Sequence, residues 1–294
     1  MWCLSPEPPA HASNADTFAV TEVAPGVFVH HGRHVGIEDP ARGDSANIGF
    51  IVGERCVAVV DSGGSLATGR ALRGAIAART ALPVCYVINT HAHFDHVLGN
   101  AAFAADEAPL VGHTNLAPTL AASQTYFAER FATELAGATP GVPDVAVDDT
   151  LELDLGARKL LLTAVAEAHT AADLTVFDVA TGSLWSGDLL FMERLPVLDG
   201  SLRGWLAWLE TAHGIKAARV IPGHGPVSAP WPDALGPERD YLARLLKAAR
   251  DAVAAGTFLE DLTADAAAHP PADWLLNEPH TRNVSKAYRE VEWE

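Results

Sequence analysis

The sequence predicts an α/β fold, a β-sandwich with helices packed outside. Three observations point to it. The chain has two β-rich halves, each ending in helix-like stretches; 49% of its 294 residues are hydrophobic, enough for a large core; and no low-complexity linker divides it. Residues 1–16, rich in Pro, Ala and Ser, read as a loose tail ahead of a single domain spanning 17–294.

The first half opens with FAVTEV and VFVHH around Ala24-Pro25-Gly26, then ANIGFIV and CVAVVD around Gly53-Glu54-Arg55. Short apolar runs joined by turn residues are antiparallel hairpins. Asp61-Ser62-Gly63-Gly64 ends the pattern, and an Ala/Leu/Arg-rich helix from about Leu66 to Arg79 leads to the strand PVCYVIN. After the loop THAHFDH come a helix-like segment, the strand PLVG and an Ala-rich helix from about Asn115 to Leu135, closed by a Pro/Gly break at 139–143. The second half repeats this character: LELDL and KLLLTAVAEA around Gly156, LTVFDV and SLWSGD around Thr181-Gly182, a helix from Ser201 to about His213, and the strand ARVIP. Ser201 is a good N-cap, and Leu202, Trp205, Leu206 and Leu209 share one helical face, which assigns Trp205 to the core. A helix from about Pro237 to Ala255 is expected to close the fold.

Bulk charge narrows the partners. Twenty Lys and Arg face 37 Asp and Glu, and the resulting net charge of -17 repels phosphate backbones and anionic membrane surfaces, which argues against nucleic acid. No apolar run reaches the ~20 residues of a membrane helix. The N-terminus lacks the basic and apolar regions of an intact secretory signal, which leaves both a cytoplasmic and an exported location open. Cys56 and Cys85 lie in apolar strand-like runs and read as buried thiols, with Cys3 in the tail.

The chemistry concentrates in His91-Ala92-His93-Phe94-Asp95-His96, directly after an apolar strand. In an extended loop His91 and His93 project to the same side, while Asp95 and His96 diverge to serve a neighbouring ion, so the spacing suits two metals. Packing and solubility give no reason for such a composition at a strand end. His169 closes KLLLTAVAEA, Asp188 closes SLWSGD and His224 closes ARVIPGHG, so each further candidate ligand also falls where a strand ends. Imidazole and carboxylate without thiolate suit borderline and hard divalent ions, zinc first, with iron or manganese accepted by the same donors.

VVDSGG, HAHFDH, AHTAAD, SGDLLF and PGHGP in this order resemble the motifs of the metallo-beta-lactamase superfamily, over about residues 18–228. The resemblance implies a four-layer αββα sandwich, two mixed sheets back to back with helices outside and the metals at one rim. It also implies that His91, His93 and His169 hold a first zinc ion, that Asp95, His96 and His224 hold a second, that Asp188 bridges them, and that Asp61 orients the site. ERLPVLDGSLRGW and the C-terminal HTRNVSKAYREVEWE are similar to the zinc metallohydrolases of quinoprotein relay systems, a group usually exported to the periplasm.

The expected function is therefore a dinuclear zinc hydrolase of a small molecule, using a hydroxide shared by the ions to attack an ester, thioester, lactone or amide carbonyl, β-lactams included. Asp95 is the expected catalytic residue, positioning that hydroxide as well as binding metal. Arg194, in the segment after Asp188, is placed to meet a substrate carboxylate. His30, His31 and His34 read as ordinary loop polarity, and His113 has no assigned role. Two alternatives stand beside this: a mononuclear iron persulfide dioxygenase of the same fold, and a non-catalytic metal-binding protein.

Overall fold

The computed structural model describes residues 18–294; the tail expected over residues 1–16 lies outside the described residues. The first sheet begins as a meander of β1 (Thr21–Ala24), β2 (Val27–His30), β3 (Ile48–Val52) and β4 (Val57–Val60), all antiparallel. Helix α1 (Leu66–Ala77), N-capped by the Ser65 side chain, carries the chain to β5 (Val84–Ile88), parallel to β4. A short turn, α2 (Phe94–Val97), follows, and β6 (Leu110–His113) adds on in parallel. Next come α3 (Leu116–Arg130) and α4 (Ala132–Leu135), and then β7 (Val145–Val147) completes a seven-stranded sheet.

The second sheet has six strands. β8 (Thr150–Asp154), β9 (Lys159–Val165), β10 (Asp173–Asp178) and β11 (Ser183–Phe191) form an antiparallel meander. Through α5 (Leu202–Ala212) the chain returns to β12 (Arg219–His224), parallel to β11, and β13 (Ala229–Pro230) forms the edge. Three helices end the described chain: α6 (Gly236–Ala255), α7 (Leu259–Ala268) and α8 (His280–Val291).

Side-chain alternation explains the layering. On β3 and β4, Ile48, Phe50, Val57 and Val59 face Leu72 and Ile76 of α1, whereas Ile51, Ala58 and Val60 face Leu160, Leu162, Leu174 and Val176 of the other sheet. A strand buried on both faces reads as a continuous apolar run, as VAVV does. The outer face of the second sheet packs on α5, α6 and α8 through Trp205, Leu209, Leu242 and Val284. The result is the expected sandwich of two mixed sheets flanked by helices.

Several expectations are corrected. Cys56 and Cys85 are not separate thiols; they form a disulfide, with Cα atoms 5.8 Å apart. Their flanking sequence is equally apolar in either state, and only the parallel pairing of Val57 with Val84 brings them together. The helix expected over 115–135 breaks at Phe131, whose backbone leaves the helical region so that its ring stacks on Phe94. β11 continues to Phe191, so Asp188 lies inside a strand, at an irregularity after Gly187, rather than at its end. Gly187 takes φ 51°, and a Cβ there would lie 2.5 Å from the Thr90 hydroxyl. Finally, α6 does not close the fold. The later helices bury Ala266, Val284, Ala287 and Val291 against it; the helical spacing of the last three was the available signal.

Candidate metal centre

The site forms where β4, β5, β11 and β12 end or bend along one rim of the sandwich. Because β4 and β5 are parallel neighbours, Asp61 after one meets Thr90 after the other. Asp61 accepts from the Thr90 backbone N–H through Oδ1 and from the Thr90 hydroxyl through Oδ2, both at 2.8 Å. Oδ2 also lies 2.8 Å from Nδ1 of His96. Its φ of 56° is a left-handed conformation that Asp tolerates better than most residues, and it turns the carboxylate inward.

All five histidines have one ring nitrogen occupied from outside. Thr90 gives its hydroxyl hydrogen to Asp61, so its Oγ1 accepts from Nδ1 of His91 at 3.0 Å. Nδ1 of His96 donates to Asp61, Nδ1 of His169 to the Val197 carbonyl at 2.7 Å, and Nδ1 of His224 to the Ser45 carbonyl at 2.9 Å. His93 is reversed: its Nε2 donates to Asp199 at 2.8 Å, which turns Nδ1 inward. An outer acceptor fixes the tautomer of a neutral ring, so each ring turns its other nitrogen, a lone pair when unprotonated, to the centre. Against the opposing effect of burial, Asp188 and Asp61 raise the His96 pKa well above its ordinary value, so that ring carries a proton when no ion is bound.

Those inner nitrogens converge with two carboxylates. His91, His93, His169 and Asp188 form one group and Asp95, His96 and His224 another, and within each group the candidate ligand atoms all lie within 4.8 Å of one another. Asp188 stands between the groups. Its Oδ2 is 3.6 Å from Nε2 of both His91 and His169 and 3.2 Å from Nε2 of His224, while Oδ1 is 3.2 Å from Nε2 of His96. Gly223 permits this approach, because a Cβ there would sit 2.0 Å from Asp188 Oδ1. Asp95 accepts from the Ser45 hydroxyl at 2.8 Å and lies 3.6 Å from Nε2 of His224.

The donor set fits divalent cations. Nε2 of His91, Nε2 of His96 and Oδ1 of Asp188 are buried without a hydrogen-bond partner, a costly state that a bound ion relieves. Nδ1 of His93 and Nε2 of His169 face each other at 3.1 Å, a pairing of lone pairs that requires a proton or a metal ion between them. Burial, reinforced by His93, pulls the His169 pKa down to about 3, and burial with His96 pulls His91 well below its ordinary value. Both are thus neutral, as ligands must be. Burial opposes the Asp188 charge, yet His224 and His96 hold its carboxyl well below the usual range.

A cavity of about 650 Å³ opens onto the centre, walled by residues 36–39, by Tyr126 and Phe127 of α3, and by the segment from Leu276 to Arg282. Arg194 lines it. Its Nη1 lies 3.3 Å from Nδ1 of His224, whose hydrogen already goes to Ser45, so the guanidinium has no carboxylate partner among the described residues.

Residues 41–224, more than half of the chain, match the family model described as the metallo-beta-lactamase superfamily. The chain belongs to that superfamily. Among solved structures with this fold, the metallo-beta-lactamase from Pontibacter korlensis is 21% identical with a TM-score of 0.63, the match covering 76% of this chain and 98% of that one. DIM-1 metallo-beta-lactamase is 15% identical with a TM-score of 0.61, over 77% and 96% of the two chains. A double mutant of the sec-alkyl sulfatase PisA1 is 17% identical with a TM-score of 0.66, over 94% of this chain but 50% of that one. At these identities the likeness is one of fold. No curated protein matches the chain.

All seven residues that the metallo-beta-lactamase motifs singled out as ligands come together, and Asp61 lies behind His96, where it was expected to orient the site. His30, His34 and His113 have partners elsewhere: His30 bonds to Ala19 and Asp44, His34 to Glu193, and His113 accepts from the Asn115 backbone. The sequence did not flag Asp199, Ser45 or the Val197 carbonyl. They come from loops remote in the chain, and no local pattern marks a residue whose role is to accept from a distant histidine.

Proposed function

We propose that this metallo-beta-lactamase-fold protein is a dinuclear zinc hydrolase that opens an ester, thioester, lactone or amide bond of a small molecule. The observation that carries the reading is Asp188: a single buried carboxylate, within 3.6 Å of inward-facing nitrogens from both ligand groups. His91, His93 and His169 would hold one ion and Asp95, His96 and His224 the other, with Asp188 shared. A zinc pair supplies a water made acidic enough to attack near neutral pH, and a Lewis acid for the carbonyl.

The chain's own residues do the rest. Asp95 is fixed by the Ser45 hydroxyl on one oxygen, which leaves the other free to take a hydrogen bond from the attacking water. Arg194 offers an unpaired guanidinium to a substrate carboxylate, and Phe94, Phe127 and Phe191 give the cavity apolar walls that exclude water. Segments 193–205 and 280–294 support the finer placement with the zinc metallohydrolases of quinoprotein relay systems. The disulfide favours an oxidising compartment and so an exported protein. Among the described residues, no helix is long and apolar enough to cross a membrane.

Elemental analysis of protein purified without added metal tests the reading. About two zinc ions per chain are expected, with turnover in a screen of β-lactams, thioesters, lactones and, given the sulfatase among the fold neighbours, sulfate esters. About one iron per chain, with oxygen consumed on a persulfide, would replace hydrolysis by the dioxygenase alternative.

A further inference from the structure

Two of the three histidines in the first ligand group take their orientation from one short segment. The Val197 carbonyl accepts from His169 and the Asp199 carboxylate accepts from His93, so residues 196–199 fix both outer nitrogens. The backbone N–H groups of Asp199 and Gly200 also donate to the carbonyl of His169, at 3.1 and 2.6 Å.

That segment belongs to no regular element, and helix α8, some 80 residues later, holds it. Asn283 is fully buried; its Oδ1 accepts from the Leu198 N–H at 2.9 Å and its Nδ2 donates to the Pro196 carbonyl at 2.7 Å. Arg282 pairs with Oδ1 of Asp199, leaving Oδ2 turned to His93. One helical stretch later, Glu290 accepts from the Ser201 hydroxyl and from the backbone N–H groups of Leu202 and Arg203, pinning the start of α5 directly after the segment. α8 lies outside the 41–224 match, so the superfamily model does not include the residues that hold this segment.

We propose that α8 is a positioning element of the metal centre: through Arg282 and Asn283 it holds residues 196–199, and so sets how tightly the His91, His93 and His169 group binds a divalent ion. The inference rests on the dinuclear reading above. Its physical basis is that an imidazole binds metal only when the correct nitrogen is bare and the ring is aimed. An outer acceptor free to rotate secures neither. Asp199 is partly exposed, and without Arg282 its carboxylate is free to turn to solvent. Asp199 and Arg282 are therefore positioning residues, with Arg282 acting through Asp199.

The test uses the full chain, stripped of metal and titrated with zinc against a chromophoric chelator, with melting temperature measured on the metal-free protein. Asp199→Ala is expected to weaken one of the two zinc sites by roughly 10- to 100-fold. Arg282→Ala should weaken the same site less, and Arg282→Lys should recover part of the loss. Arg250→Ala, which breaks a different tie to the C-terminus through Glu294, should leave zinc affinity unchanged. The metal-free melting temperatures of the Asp199 and Arg282 variants should match the parent. Parent-like zinc affinity in both variants would overturn the proposal while leaving the dinuclear reading intact. So would an affinity loss that merely tracks a loss of metal-free stability. A parent chain that binds no zinc would overturn both.

Discussion

Asp61 Oδ2 lies 2.8 Å from Nδ1 of His96, and the same carboxylate takes both hydrogen-bond donors of Thr90, which in turn accepts from His91. One buried carboxylate thus sets the tautomer of a histidine in each ligand group. Asp61→Ala is expected to lower zinc affinity by roughly 10- to 100-fold. It should also cost about 1–3 kcal/mol of stability for each donor left without an acceptor. Chelator competition and urea unfolding measure the two effects, and parent-like zinc affinity in the variant would show that Asp61 has only a packing role.

Asp95→Asn separates rate from fold. The amide keeps the size of the carboxylate and an acceptor for Ser45, but lacks the charge to order an attacking water and serve as a ligand. Turnover should fall by roughly 10²–10⁴-fold with little change in melting temperature. A variant that retains most of its activity would remove Asp95 from the mechanism.

The Cys56–Cys85 link ties β4 to β5 across a sequence separation of 29. The link joins the N-terminal ends of these parallel strands, opposite the rim where Asp61 and the His91 motif follow their C-terminal ends. Cys56→Ser/Cys85→Ser should lower unfolding free energy by about 3 kcal/mol, and a reductant should shift the parent but not the variant. Intact mass under non-reducing conditions that fits free thiols would dismiss the bond.

Glu238 is fully buried at the start of α6; its Oε1 accepts from the Phe191 N–H at 2.9 Å while Oε2 has no partner. Burial drives its carboxyl well above the usual range, Phe191 opposes the shift in part, and the Asp188 charge adds to it. The folded state therefore binds a proton that the unfolded state has released. Its stabilising effect is complete below the ordinary carboxylate pKa and is lost as pH rises towards the folded value. Glu238→Gln keeps the Phe191 acceptor and removes the titration. Metal-free Glu238→Gln should gain on the parent in unfolding free energy between pH 5 and 8, whereas parallel pH profiles would refute a proton on Glu238.

By itself the sequence determined most of the sandwich and the seven candidate ligands. Alternating and continuous apolar runs fix which face of a strand is buried, and His91, His93, Asp95 and His96 lie close enough in the chain to reveal their purpose. The same local logic places Trp205, whose indole is buried and donates to the Leu189 carbonyl, in the core. What the tertiary structure decided depends on contacts between distant segments. Cys56 meets Cys85 only because β4 and β5 pair in parallel, and Asp199 reaches His93 only because residues 196–199 cross the rim. α8 joins the site only because its apolar face docks beside α6. Local patterns record burial and turn chemistry, which neighbouring residues share. The partner of a cysteine or the acceptor for a ring nitrogen is set by chain crossings that no window of sequence contains.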